Sequence, residues 1–205
     1  KGLVKASIDL GLSFKEMKNN IETLIKNQYI GTEVSISLGE LRSINIFVLG
    51  EATQPGMYTI SALSNLTNAI FASGGIKTSG SLRNIELKRK GKVIGRFDFY
   101  ELLLNGDNSN DIRLLPDDVV FIPPINKTVG IKGEVSRPAI YELKNEETLQ
   151  DLISFSGNFK PKANLSSIEI ERINSNTNDG FRLVNVDYQS TLKNDYSLEN
   201  GDTVN

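Results

Sequence analysis

Apolar positions three and four residues apart mark the first element of this chain. Phe14, Met17, Ile21, Leu24 and Ile25 line one stripe of an amphipathic helix. Ser13 and Glu16 fit a capping box at its start, and the stripe predicts an end near Gln28. Val34, Ile36 and Leu38 then alternate with polar residues, which predicts a strand from Glu33 to Leu38 and a turn over Gly39 to Arg42. Residues 1–12 alternate only weakly, through Leu3, Ile8 and Leu10.

From there the pattern runs through one order of elements twice. Strands are predicted from Ile44 to Leu49 and Met57 to Ile60, with a helical stripe over Leu63, Leu66, Ala69 and Ile70 that stops at Ser73-Gly74-Gly75. Ile85 and Leu87 alternate with Glu86 and Lys88, Lys90-Gly91-Lys92 makes a tight turn, and a strand follows from Val93 to Phe99. A short helical patch (Tyr100 to Leu104) precedes the closing run Leu114 to Ile122. A shift of 83 residues superimposes the second pass on the first: Gly50/Gly133, Glu51/Glu134, Pro55/Pro138, Tyr58/Tyr141, Leu66/Leu149, Ile70/Ile153, Gly74/Gly157 and Arg89/Arg172 are identical pairs. The register holds without a gap from Val48 to Arg89. Solenoid repeats run to about 20–50 residues, so this period marks a duplicated small domain.

The second pass differs in detail. Its helical stripe is Leu149, Leu152 and Ile153, with Glu146 and Glu147 at the positive end of the helix. A longer loop, Asn174 to Gly180, replaces the tight turn, and Leu198 to Val204 matches the closing run. At the first corner Pro55 fixes φ and Gly56 can supply a positive φ. Ala139 holds that place in the second pass, where a positive φ would be strained. Ala139 is therefore expected at negative φ, and a turn shape common to both copies is not type II.

Each copy is thus strand, strand, helix, hairpin and closing strand: a sheet with one helix on one face, the β-grasp arrangement. Hydrophobic content of 39% and charged content of 23% are those of an ordinary globular chain. The net charge of −2 and pI near 5.4 argue against a nucleic-acid partner. No apolar run reaches the length of a membrane-spanning helix. Lys1 and Asn205 both read as internal positions of a longer chain.

These features resemble a known family. Gly50-Glu51-x-x-x-Pro55-Gly56-x-Tyr58, an apolar helix ending in Gly74-Gly75, and Leu114-x-Pro116-Asp117-Asp118-Val119-Val120-Phe121-Ile122-Pro123 look like a soluble-ligand-binding β-grasp domain. Gly133, Glu134, Pro138, Tyr141 and Gly157 repeat the motif. A tandem pair behind a helix and strand resembles the outer-membrane polysaccharide export proteins of Gram-negative capsule and exopolysaccharide systems. The resemblance implies an α+β fold of two tandem β-grasp-like domains preceded by a helix-strand tail: residues 1–43 as the end of a polysaccharide export domain, 44–125 as the first β-grasp domain and 126–205 as the second, clipped at its end. It also implies a periplasmic homo-oligomeric ring at the outer membrane, transient contact with polysaccharide, and an inner-membrane polysaccharide co-polymerase as partner. Ala139 for the usual Gly, and Asp117 where Gly201 is more typical, depart from the pattern.

Candidate chemistry is sparse. Without His or Cys, Ser-His and Cys-His nucleophiles and the zinc sites built on those ligands are excluded. Asp117, Asp118 and Asp202 could serve as acid/base groups or calcium ligands, but Asp beside Pro or Gly before a strand reads as a turn former. No catalytic, cofactor or metal site is expected. Lys88, Arg89, Lys90 and Lys92, with Arg83 and Arg96 nearby, form a basic hairpin that either touches a polyanion or partner, or is a solvated tip. Glu86, Asp98 and Glu101 dilute it and favour the tip. Alternation assigns Phe97 or Phe99 to the core and leaves Tyr100 open. Glu51 and Glu134 either pair with Arg89 and Arg172 across a subunit seam or are exposed charges. The functional expectation is a non-enzymatic export conduit. The alternative is a periplasmic module that binds a soluble saccharide without forming a pore.

Overall fold

In a computed structural model of the chain, the structure describes residues 13–29, 31, 33–37, 42–173 and 180–205. Contacts divide the chain into one unit ahead of Arg42 and another from Arg42 to Asn205.

In the first unit, helix α1 spans Phe14–Gln28. Its capping box forms as the sequence predicts: the Ser13 amide and hydroxyl donate to Glu16 Oε2 at 2.8 and 2.7 Å, and the Glu16 amide returns a bond to Ser13 Oγ at 3.4 Å. None of its residues is buried. Residues 33–37 carry no strand, contrary to the alternation of Val34 and Ile36, since among the described residues no strand pairs with them. The weak alternation of residues 1–12, the turn residues Gly39 to Leu41, and Leu38 lie outside the described residues, as do 174–179 of the second-pass loop.

In the second unit the first pass supplies β1 (Ser43–Gly50), β2 (Gly56–Ser61), α2 (Leu66–Ala72), β3 (Ile85–Arg89), β4 (Lys92–Phe97), α3 (Phe99–Asn105) and β5 (Val119–Ile122). The second supplies β6 (Lys127–Ile131), β7 (Ala139–Leu143), α4 (Leu149–Phe155), β8 (Ile168–Ile173), β9 (Phe181–Val186), α5 (Tyr188–Thr191) and β10 (Thr203–Val204). Each makes a five-stranded mixed sheet in the same order, β2-β1-β5-β3-β4 and β7-β6-β10-β8-β9. The closing strand lies parallel to the first strand and antiparallel to the hairpin, with Val48 beside Val120 and Ile131 beside Val204. Two sheets of this topology, each covered by a helix, are tandem β-grasp-like folds.

Period-two burial explains why these segments pair as they do. Ile44, Ile46 and Val48 face inward from β1, and Ile85 and Leu87 from β3, onto Leu66, Ala69 and Ile70 of α2. Ile131, Ile168 and Ile170 meet Leu149, Leu152 and Ile153 in the second core. Each fully buried Leu or Ile contributes about 1.5–3 kcal/mol. The α2 stripe begins later than Leu63 suggests. That residue is 54% exposed in the turn ahead of the helix.

The duplicated corner works differently from a Pro-Gly turn. Gly56 has no positive φ, and neither does Ala139, as expected for it; both residues open a strand. Left-handed backbone lies instead at Gly50 (φ +82°) and Gly74 (φ +78°), and at Gly133 and Gly157 in the second copy. A Cβ on Gly50 would come within 2.1 Å of the Ile122 carbonyl oxygen, which accepts from the Glu51 amide. The loop before Pro55 is then tied to the helix exit. Thr53 and Gln54 amides donate to the Gly75 and Ser73 carbonyls, matched by Ser136 and Arg137 donating to Asn158 and Ser156. The motif tyrosines close the same loop: Tyr58 Oη donates to the Gln54 carbonyl at 2.5 Å and Tyr141 Oη to the Arg137 carbonyl at 2.8 Å. In both copies that carbonyl precedes the proline.

Candidate functional site at the seam between the repeats

The carboxylates that might have done chemistry are structural. Asp118 is fully buried, and it accepts from the Leu115 amide at 2.8 Å and from Arg89 Nε and Nη2 at 2.7 and 2.8 Å. Asp202 repeats the arrangement with the Glu199 amide and Arg172. These are turn formers whose charge is met by an arginine of the same repeat. Hydrogen bonding to the aspartates holds the pKa of both arginines above the usual value. Asp117 takes φ +65°, the place of Gly201 at +87°. Among the described residues no cluster of acidic side chains could hold a metal ion.

Within the chain, therefore, Arg89 and Arg172 are engaged by these aspartates and not by Glu51 or Glu134. Glu51 Oε2 instead accepts from Ser79 Oγ at 2.6 Å. The main-chain carbonyls of Glu51 and Glu134 accept from Lys77 and Lys160, so both residues anchor the loop leaving the helix.

The basic hairpin is broken up. Lys88 pairs with Glu86 at 3.0 Å and lies 4.1 Å above the Phe121 ring, and Arg89 is held by Asp118. Lys90 and Lys92 stand exposed, flanking Gly91 in the turn, and Arg96 is exposed on β4 but paired with Glu86 at 3.2 Å. Phe97 and Phe99 are both buried in the first core.

Arg83 belongs to none of this. It lies just ahead of β3, is 6% exposed, and reaches into the second repeat. Nε donates to Asp98 at 2.8 Å, Nη2 to Glu147 Oε1 at 2.7 Å, and Nη1 to Glu147 Oε2 and the Glu142 carbonyl at 3.1 Å each. Its guanidinium stacks 4.3 Å above the Tyr100 ring and 4.9 Å above Phe155. Burial works against its charge, but its bonds to Glu147 and Asp98 prevail, and its pKa is raised.

Tyr100 completes the seam. Although it belongs to α3 of the first repeat, it is buried in the core of the second. Its hydroxyl accepts from the Glu142 amide at 2.9 Å, and its ring meets Tyr141 and Phe155 edge to face. The Leu82 amide donates to Glu142 Oε2 at 2.7 Å, and Lys144 pairs with Asp98 at 2.8 Å. Beside this joint opens a cleft of 370 Å³ with Asn84, Arg96 and Asp98 on one side and Asn126, Lys144 and Asn145 on the other.

The sequence did hold a signal for the joint, in the breaks of the repeat. Arg83 stands opposite Ser166, Glu142 opposite Thr59, and Glu147 opposite Ser64. Counted from the helix N-caps Asp98 and Asp187, Tyr100 stands opposite Gln189. Residues that differ where the fold is the same are free to join one copy to the other.

Two models of the SLBB domain match the chain, at residues 45–122 and 128–180. The chain is 23% identical over 197 residues to the polysialic acid transport protein KpsD of Escherichia coli, covering 95% of this chain and 34% of that protein. It is 27% identical over 164 residues to the EPS I polysaccharide export outer membrane protein EpsA of Ralstonia solanacearum, covering 78% of this chain and 42% of that protein. The chain therefore spans less than half of either relative. It carries two SLBB domains in tandem and is homologous to both proteins.

Proposed function

Starting from a chain of two SLBB domains homologous to a polysaccharide transport protein and a polysaccharide export protein, we propose that it is the periplasmic part of an outer-membrane polysaccharide export protein of a Gram-negative bacterium. Residues 1–43 end its export domain, and 44–125 and 126–205 are its SLBB domains. In this reading the pair forms ring layers of a homo-oligomeric conduit that capsular or exopolysaccharide crosses without being altered, fed by an inner-membrane co-polymerase. The observation that carries it is the use to which charge is put. Asp118 and Asp202 are locked to arginines of their own repeats, and Arg83 joins one repeat to the next. Among the described residues these groups shape a scaffold, which supports a structural role over a catalytic one. The motif residues Gly50, Glu51, Pro55, Gly56, Tyr58 and Gly74, with their second-copy partners, serve as architecture. Lys90 and Lys92 are the hairpin cations still available to a polyanion or a partner.

The experiment is a mass measurement on the complete protein in detergent, with export of surface polysaccharide scored in cells. A closed ring of defined subunit number, with loss of surface polymer on deletion, is the expected result. A monomer that binds glycan saturably would replace the conduit with a binding module, and polymer cleavage by the purified protein would overturn both.

A further inference from the structure

The seam cleft is lined mainly by polar side chains. Asn84, Asn126 and Asn145 line it with exposed amides from both repeats. Each amide offers a donor and an acceptor in one plane, the complement of vicinal hydroxyls. Its cations are already matched: Arg83 by Asp98 and Glu147, Lys144 by Asp98, and Arg96 by Glu86. Asp98, Glu142 and Glu146 also line the cleft and repel an anionic ligand but not a neutral polar one. Pro124 adds an apolar surface at the rim, and the volume of 370 Å³ falls within the range of about 300–1,000 Å³ usual for small-molecule sites.

We propose that this cleft is a subsite for a single neutral, hydroxyl-rich pyranose unit of a glycan, a reading that rests on the assignment of polysaccharide as the chain's ligand. The amides of Asn84 on one wall and of Asn126 and Asn145 on the other bond the ring hydroxyls. Arg83 and Tyr100 hold the two walls at fixed separation, so binding needs no closure of the seam. No aromatic ring is exposed as a stacking platform, because Phe97 is buried beneath the cleft. Binding is accordingly weak, as suits a polymer that must move on.

The test is a titration of the isotope-labelled 205-residue chain with cellotetraose, maltotetraose and chitotetraose, and with a sialic acid tetramer, followed by amide NMR. The side-chain amides of Asn84, Asn126 and Asn145 are expected to shift saturably, in the millimolar range, with at least one neutral tetramer. The double substitution Asn126→Ala and Asn145→Ala should weaken that binding about tenfold or more without moving the thermal midpoint, since both side chains are exposed. Lys90→Ala with Lys92→Ala should leave it unchanged. Absence of saturable shifts in the cleft with all three neutral sugars, or tighter binding of the sialic acid tetramer, would overturn the subsite. If those failures occur while the complete protein still forms rings and exports polymer, the subsite alone is lost. A monomeric complete protein defeats the export reading instead, whatever the titration shows.

Discussion

Arg83 of the first repeat and Glu147 of the second share two hydrogen bonds, at 2.7 and 3.1 Å, with the guanidinium largely buried against Tyr100 and Phe155. The attraction is strong there because little solvent screens it, and for the same reason a charge left alone is costly. Arg83→Ala should destabilise the chain by about 3 kcal/mol, within the range for breaking a buried pair. Glu147→Gln should cost less, since Asp98 still faces the guanidinium. Denaturant unfolding of both single variants and the double variant measures this directly. A coupling below about 0.5 kcal/mol would show that the pair is only incidental.

Tyr100 makes a second prediction about the same joint. A side chain of one repeat buried in the core of the next ties their stabilities together, so the two folds should unfold in one transition. Tyr100→Ala removes the ring and should cost about 3–5 kcal/mol. It should also split the transition, with the second repeat melting first, because that core loses the ring. Calorimetry on the variant decides it. Two transitions already present in the unaltered chain would contradict the shared core.

Much of this architecture was legible in the sequence. The β-grasp order, the capping box at Ser13 and the negative φ of Ala139 all followed from local pattern, because alternation, caps and the strain of positive φ act over a few residues. The seam was legible only as breaks in the repeat, at Arg83, Glu142 and Glu147, and not as pairings. Arg83 reads as one more cation beside Lys88 and Arg89, and nothing in its own segment indicates that its partners lie at Asp98 and Glu147. Glu51 and Glu134 stayed between two readings because an identity shared by both copies does not name its partner; within the chain Arg89 and Arg172 are taken by Asp118 and Asp202. Over residues 33–37 the expected strand failed because alternation alone forms no strand without a partner edge.

The corner glycines separate cleanly by substitution. Gly50→Ala faces both a positive φ and a carbonyl oxygen 2.1 Å away, so a loss of about 3 kcal/mol or more is expected. Gly56→Ala meets open space at negative φ, and should be neutral or stabilising by up to about 1 kcal/mol. Asp117→Gly, which relieves a left-handed aspartate, should stabilise by roughly 1 kcal/mol. Thermal midpoints of the three variants check the order. A Gly56→Ala variant as damaged as Gly50→Ala would mean that the corner is a Pro-Gly turn after all.

Alkaline pH should loosen the seam through Tyr100. Burial raises the pKa of its phenol above the ordinary 10.0, the bond from the Glu142 amide and the field of Arg83 offsetting only part of the shift. The folded state therefore keeps the proton at a pH where the unfolded chain has released it. Stability from this group is fully present below about pH 10, the unfolded value, and is lost as pH rises through the folded value. Other tyrosines ionise in the same range, so the comparison must be with Tyr100→Phe. That variant forfeits the acceptor for the Glu142 amide, at a cost of about 1–3 kcal/mol at neutral pH. Its stability should then fall less between pH 9 and 11 than that of the unaltered chain. Parallel pH profiles for the two proteins would mean that the phenol titrates as freely when folded as when unfolded, and that the seam around it admits water.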